Sequence, residues 1–79
     1  MKKKIVMVMW HDATSNTRWV DLEEESLIQV VSVGMLIKKT DKIVQLGMNL
    51  AEDGSWGVTM TIPIVWTTKI KTLSEIEVK

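Results

Sequence analysis

The chain has no cysteine, no phenylalanine and no tyrosine, a single proline, and a formal net charge of zero. Each absence removes something. Without cysteine no disulfide can brace the fold and no thiolate can hold zinc. Ten basic residues balance ten acidic ones, so the strong basic excess that marks most nucleic-acid binders is missing. Near-neutrality also makes self-association easier. No apolar run approaches the ~20 residues that cross a bilayer. Met1-Lys2-Lys3-Lys4 followed by Ile5 to Trp10 superficially imitates a signal peptide. That apolar stretch is cut short by His11-Asp12, and no small-residue cleavage site follows. A first β-strand is the better reading, which leads to the expectation of a cytoplasmic protein without a membrane partner.

What is present is an apolar inventory of unusual kind: four tryptophans and six methionines among 79 residues. Residues 1–79 make one small domain. A chain this short buries only roughly 60–65% of its unfolded surface, so it depends on tight packing or on burial between subunits. Four indoles are hard to hide in so small a core, because each N–H needs a partner. At least one is expected at the surface or at a subunit contact.

Hydrophobic alternation and polar breaks place five strands. Lys4–Trp10 is apolar throughout, covered on both faces or set between the core and a neighbouring subunit. His11–Thr17 reads as a polar loop, and Asp21–Glu25 as a short helix or turn with Asp21 placed to be an N-cap. The second strand is Ile28–Lys39, with Gly34 expected to mark a bulge or sharp bend and Leu36 to reach the interior. Lys42–Leu50 and Trp56–Ile62 are the third and fourth, the latter stopped by Pro63. Ile64-Val65-Trp66 is a tight turn, Lys69–Leu73 a fifth strand, and Ser74–Lys79 a tail. No internal repeat occurs. The fold class expected is all-β: a strongly bent, five-stranded antiparallel barrel with a short helical insertion between strands one and two.

Five strands, a bent second strand with a central glycine and a one-turn helix before the last strand resemble the SH3-like small barrels, and among them the Sm-like proteins. Gly34, Leu36, Asp41, Leu46 and Met48 stand in the order of the first Sm motif, and Ile62, Ile64 and Ile70 are similar to the Ile-rich end of the second. The resemblance implies a ring of subunits and an RNA site. Gln45 stands where the Sm asparagine would be, and no Arg-Gly pair occurs. Trp10-His11-Asp12-Ala13, Arg18-Trp19, Ser32-Val33-Gly34 and Ile62-Pro63 also resemble a group of small tailed-phage proteins, for which the location would be the host-cell cytoplasm.

Lys38, Lys39, Asp41, Lys42 and Gln45 form the candidate nucleic-acid site: repeated around a ring, three lysines per subunit would make a cationic surface. The bland alternative is a charged hairpin tip that discourages aggregation. Arg18, Trp19, Trp56 and Trp66 are the candidate interface residues, either as hot-spot anchors or as base-stacking platforms. His11-Asp12 with Thr14 and Ser15 holds the residue types of a nucleophile, base and acid, but without an elbow or oxyanion loop it reads better as a capping loop. His11, Asp12 and Glu23–Glu25 lack metal-ligand spacing. No catalytic residue, cofactor, metal or small-molecule substrate is expected. Two functions remain: an Sm-like oligomer binding RNA or single-stranded nucleic acid, and a phage-type structural or adaptor protein working through protein contacts.

Overall fold

A computed structural model describes residues 1–13 and 27–78. Five strands are present: β1 (Lys2–Ala13), β2 (Leu27–Lys39), β3 (Ile43–Leu50), β4 (Trp56–Pro63) and β5 (Thr67–Glu77), with a 3₁₀ turn at Ile64–Trp66 before β5. They form one sheet in the order β4-β3-β2-β1-β5, every neighbouring pair antiparallel. The all-β class and five antiparallel strands are therefore as expected.

The barrel is a correction. Among the described residues β4 pairs with β3 alone and β5 with β1 alone, so the sheet is not closed and both strands are its edges. Pro63 lacks an N–H and ends β4, and the 3₁₀ turn carries the chain from one edge of the sheet to the other. The sheet nonetheless curls strongly. Lys3 on β1 places its Nζ 5.6 Å from the Trp56 ring on β4, although two strands lie between them in the ladder. The expected helix at Asp21–Glu25 lies outside the described residues.

Alternation makes the core. Val6 and Val8 of β1, Val44 and Leu46 of β3, and Ile62 of β4 are buried, and Trp10, Leu36, Ile64 and Ile70 pack against them. On β2 the Ser32, Gly34, Leu36 side faces this core. Val31 and Val33 are 55% and 45% exposed on the other face. The irregularity in β2 lies between Leu36 and Lys38 in its pairing with β3, whereas its pairing with β1 runs unbroken through Gly34 opposite Val6. The bulge expected at Gly34 is thus moved along the strand; Gly34 instead lies close under the Gly47 carbonyl and the Leu46 Cβ.

Strand ends differ too. β1 continues through His11 and Asp12, paired with Gln29 and Ile28, in place of the expected loop. β5 runs to Glu77, because the backbone of Ser74–Glu77 completes a ladder with Lys2–Ile5. Lys2 Nζ lies 3.6 Å from a Glu75 carboxylate oxygen, and the Met1 amino group 3.0 Å from that of Glu77. Beyond Trp10 no β5 residue flanks β1, and before Met35 no β3 residue flanks β2. The far end of this hairpin is a two-stranded ribbon, and the molecule measures 52 × 22 × 19 Å.

The β3–β4 turn is made by Asp53, whose carboxylate accepts from the Ser55 hydroxyl at 2.6 Å and the Ser55 N–H at 3.0 Å. Those bonds, the hydroxyl first, hold its pKa below the usual 3.8. Its contribution to the turn is present at neutral pH and is lost on acidification through the lowered value. Gly54 takes the positive φ of 88° that the turn needs.

Val58 is the one non-glycine with positive φ among the described residues, at 55°. A β-branched side chain is strained there. Val58 is also 71% exposed, so little packing compensates. Val58→Asn is expected to raise stability by about 1 kcal/mol in urea unfolding; a loss of stability would show that the valine is held there for packing.

Candidate functional site

The turn between β2 and β3 is built by Thr40. Its Oγ1 accepts from the N–H groups of Lys42 and Ile43, both at 3.1 Å, and its own N–H donates to the Ile43 carbonyl at 2.8 Å. The Lys42 carbonyl accepts from the Ile64 N–H at 2.9 Å, which ties this turn to the 3₁₀ turn. Lys38, Lys39, Asp41 and Lys42 are all exposed on this frame. Among the described residues, the ion pairs are those of Met1 and Lys2 on the β1–β5 ladder, so the three turn lysines carry no carboxylate partner there.

Gln45 pairs with Lys38 across β2–β3 and with Thr61 across β3–β4. Paired residues share a face of the sheet, so Lys38 and Gln45 lie side by side. Two residues along β3 is Gly47, on the same face. A Cβ there would overlap the six-membered ring of Trp56 and meet Ile37 Cδ1 at 3.0 Å. The six-membered ring of Trp56 therefore lies over Gly47, and Lys3 Nζ stands 5.6 Å from the Trp56 ring centre. The geometry brings Lys38, Gln45, Trp56 and Lys3 onto one face from four strands. Lys39 pairs with Val44, whose side chain is in the core, so it belongs to the opposite face. Asp41 and Lys42 sit in the turn itself.

Lys3 was not singled out by sequence reasoning. Its signal is only its place in β1, since its approach to Trp56 depends on the curl of the whole sheet. A second aromatic cluster was missed for the same reason. Trp10 and Trp66 stack with centroids 6.3 Å apart and planes 11° from parallel. Trp10 Nε1–H donates to Ser32 Oγ at 3.0 Å. Trp66 is 41% exposed, and Val65 beside it is 88% exposed. Of the candidate interface residues, Trp66 is thus exposed and Trp56 half-buried, while Arg18 and Trp19 lie outside the described residues.

Other sets do not converge. His11 and Asp12 are consecutive in β1 and so point to opposite faces; Thr14, Ser15 and Glu23–Glu25 lie outside the described residues. Among the described residues no group of three or more His, Asp or Glu side chains could hold a metal, and no helix is long and apolar enough to cross a membrane. No family profile, no curated protein and no solved structure matches the chain.

Proposed function

We propose that this chain is a non-enzymatic structural or adaptor module that works as an assembly of several copies, through protein–protein contacts. One observation carries the reading: among the described residues the apolar side chains are divided poorly between core and solvent. Five buried side chains among the described residues make a small core, against eleven exposed large hydrophobics. A chain with that balance gains most of its stability by association.

Two edge strands, β4 and β5, supply one route. Edge-to-edge addition of β4 onto β5 of the next copy would give the ring of an Sm-like protein. The phage-type adaptor reading uses the same contacts toward other proteins, and the cysteine-free sequence fits a cytoplasmic setting. Light scattering over a concentration series tests the proposal: a mass at a multiple of 9.0 kDa is expected at micromolar concentration, and a monomer throughout would refute it.

A second reading, binding of RNA or single-stranded nucleic acid, is supported by Lys38, Gln45, Trp56 and Lys3 on one face. Lysines would meet phosphates and the indole a base. Anisotropy of labelled single-stranded RNA should then rise at low salt and fall steeply as salt is added. A flat signal at low salt removes this reading and leaves the assembly reading untouched.

A further inference from the structure

The face of the sheet turned away from the core carries charge of one sign. Val6 and Val8 are buried in the core, so Lys3, Ile5, Met7 and Met9 take the alternate positions of β1 on the outer face. Lys71 and Lys69 of β5 are the ladder partners of Met7 and Met9, and they alternate with Ile70, which packs on the core. Lys38 shares the outer face through its partner Gln45, which lies between buried Val44 and Leu46. Among the described strand residues, every formal charge at an outer-face position belongs to one of these lysines. Asp12, Glu75 and Glu77 pair with Ile28, Lys4 and Lys2 at core-side positions, and Lys39 pairs there with Val44. On that side lysines and carboxylates balance. The zero net charge of the chain therefore conceals a segregation between the two sides of the sheet. Lys38, Lys69 and Lys71 are exposed, and Lys3 is half-buried.

We infer that the nucleic-acid site crosses this face from Lys3 and Lys38 to Lys69 and Lys71, the second pair supplying further phosphate contacts to a single strand. This extent rests on the nucleic-acid reading above. Charge complementarity gives the class of partner: a face whose only charges are cationic attracts a polyanion. Lys69 and Lys71 are alternate residues of one strand and stand about 7 Å apart, close to the phosphate repeat of an extended single strand. From Lys3 to Met9, the ladder partner of Lys69, is about 20 Å along β1, a span of several nucleotides. Beside the first pair stand the Trp56 ring and the Gln45 amide. The ring can stack a base, and the amide offers a donor and an acceptor to a base edge. An anionic lipid surface fits less well. Ile5, Met7, Met9 and Met35, on the same face, are half-buried, whereas docking on a bilayer sinks a protruding apolar face into it.

Anisotropy of a labelled oligouridine across a salt series reads the track. Contacts from all the outer-face lysines predict a slope of log K against log salt of about −2.8, at about −0.7 for each phosphate of a single strand. Lys69→Gln together with Lys71→Gln is expected to reduce that slope by about 1.4 in magnitude and to weaken low-salt binding roughly tenfold or more. Lys2→Gln together with Lys4→Gln removes the same charge from the core side of the sheet and is expected to leave the slope unchanged. Circular dichroism should remain that of a β protein for both, since all these side chains are exposed. If RNA binds but the Lys69, Lys71 variant matches the unmodified chain, or both double variants lose affinity equally, the track is wrong and the nucleic-acid reading stands. Sedimentation with vesicles of phosphatidylserine and phosphatidylcholine tests the other anion. Vesicle binding that needs Lys69 and Lys71, with no RNA binding at low salt, overturns both in favour of a lipid surface. A flat RNA signal at low salt without vesicle binding also removes both.

Discussion

Leu46→Ala is expected to cost about 3 kcal/mol of stability, with the chain largely unfolded near body temperature. Leu46 is 2% exposed and is the largest of the five buried side chains with Ile62. It lies against Gly34, whose added Cβ would come within 3.2 Å of the Leu46 Cβ. Truncation removes the transfer free energy of three carbons and leaves a cavity that a small, curled sheet cannot close, a combination that costs about 2–5 kcal/mol in protein cores. The total stability of a chain of this length is roughly 4–12 kcal/mol. With five buried side chains among the described residues, the core has little reserve to absorb the loss. Leu73→Ala is the control: Leu73 is 48% exposed, and its truncation should stay within about 0.5 kcal/mol. Urea unfolding at several protein concentrations measures both. Should Leu46→Ala and Leu73→Ala cost the same, the buried set is not what holds the sheet.

The urea midpoint of the unmodified chain should itself rise with protein concentration, because a partner that binds only the folded state adds to stability by mass action. On the assembly reading, the core sets what a single copy contributes and association supplies the remainder. Leu46→Ala should therefore act on both, lowering the midpoint and raising the concentration at which copies associate.

Much of the strand layout is legible in local pattern. Ile43–Leu50 alternates cleanly, with Val44 and Leu46 inside, and Thr40-Asp41-Lys42 and Ala51–Ser55 break the strands where polar side chains bond their own backbone. The turn at Ile64–Trp66 follows from Pro63. Ser74–Glu77 reads as a tail because an edge strand solvated on both faces shows no hydrophobic period; its strand character comes from backbone bonding to Lys2–Ile5, which is remote in sequence. Alternation also divides β2 into two faces without saying which is inside. The answer is set by Ser32, which accepts the Trp10 N–H, and by Gly34, which lets Leu46 approach. The smaller side chains therefore face the core and the valines face out. Whether β4 meets β5 is not written in either strand. Likewise, Lys38 and Gln45 are recognisable as neighbours across a hairpin, whereas the arrival of Lys3 at Trp56 is a property of curvature.

That curvature can be tested at Gly47. Gly47→Ala is expected to destabilise the fold by about 1–3 kcal/mol, the usual cost of overpacking. An alanine would normally be preferred over glycine in a strand, so the sign is informative. The cause is specific: the new Cβ would occupy the place of the Trp56 ring and press on Ile37 Cδ1 at 3.0 Å. Because Gly47 is buried between paired strands, the backbone has little room to withdraw, and the indole must leave. Lys3 then loses the ring that lies 5.6 Å from its ammonium. Removing the indole should abolish the penalty. In a Trp56→Ala background, Gly47→Ala is expected to be neutral or slightly stabilising, giving a coupling free energy of about 1–3 kcal/mol between the two positions. Strict additivity would mean that Trp56 does not lie over Gly47. It would also remove the platform that places Trp56 beside Lys38 and Gln45. The same pair tests the nucleic-acid reading. Trp56→Ala should abolish the low-salt RNA signal if the indole stacks a base.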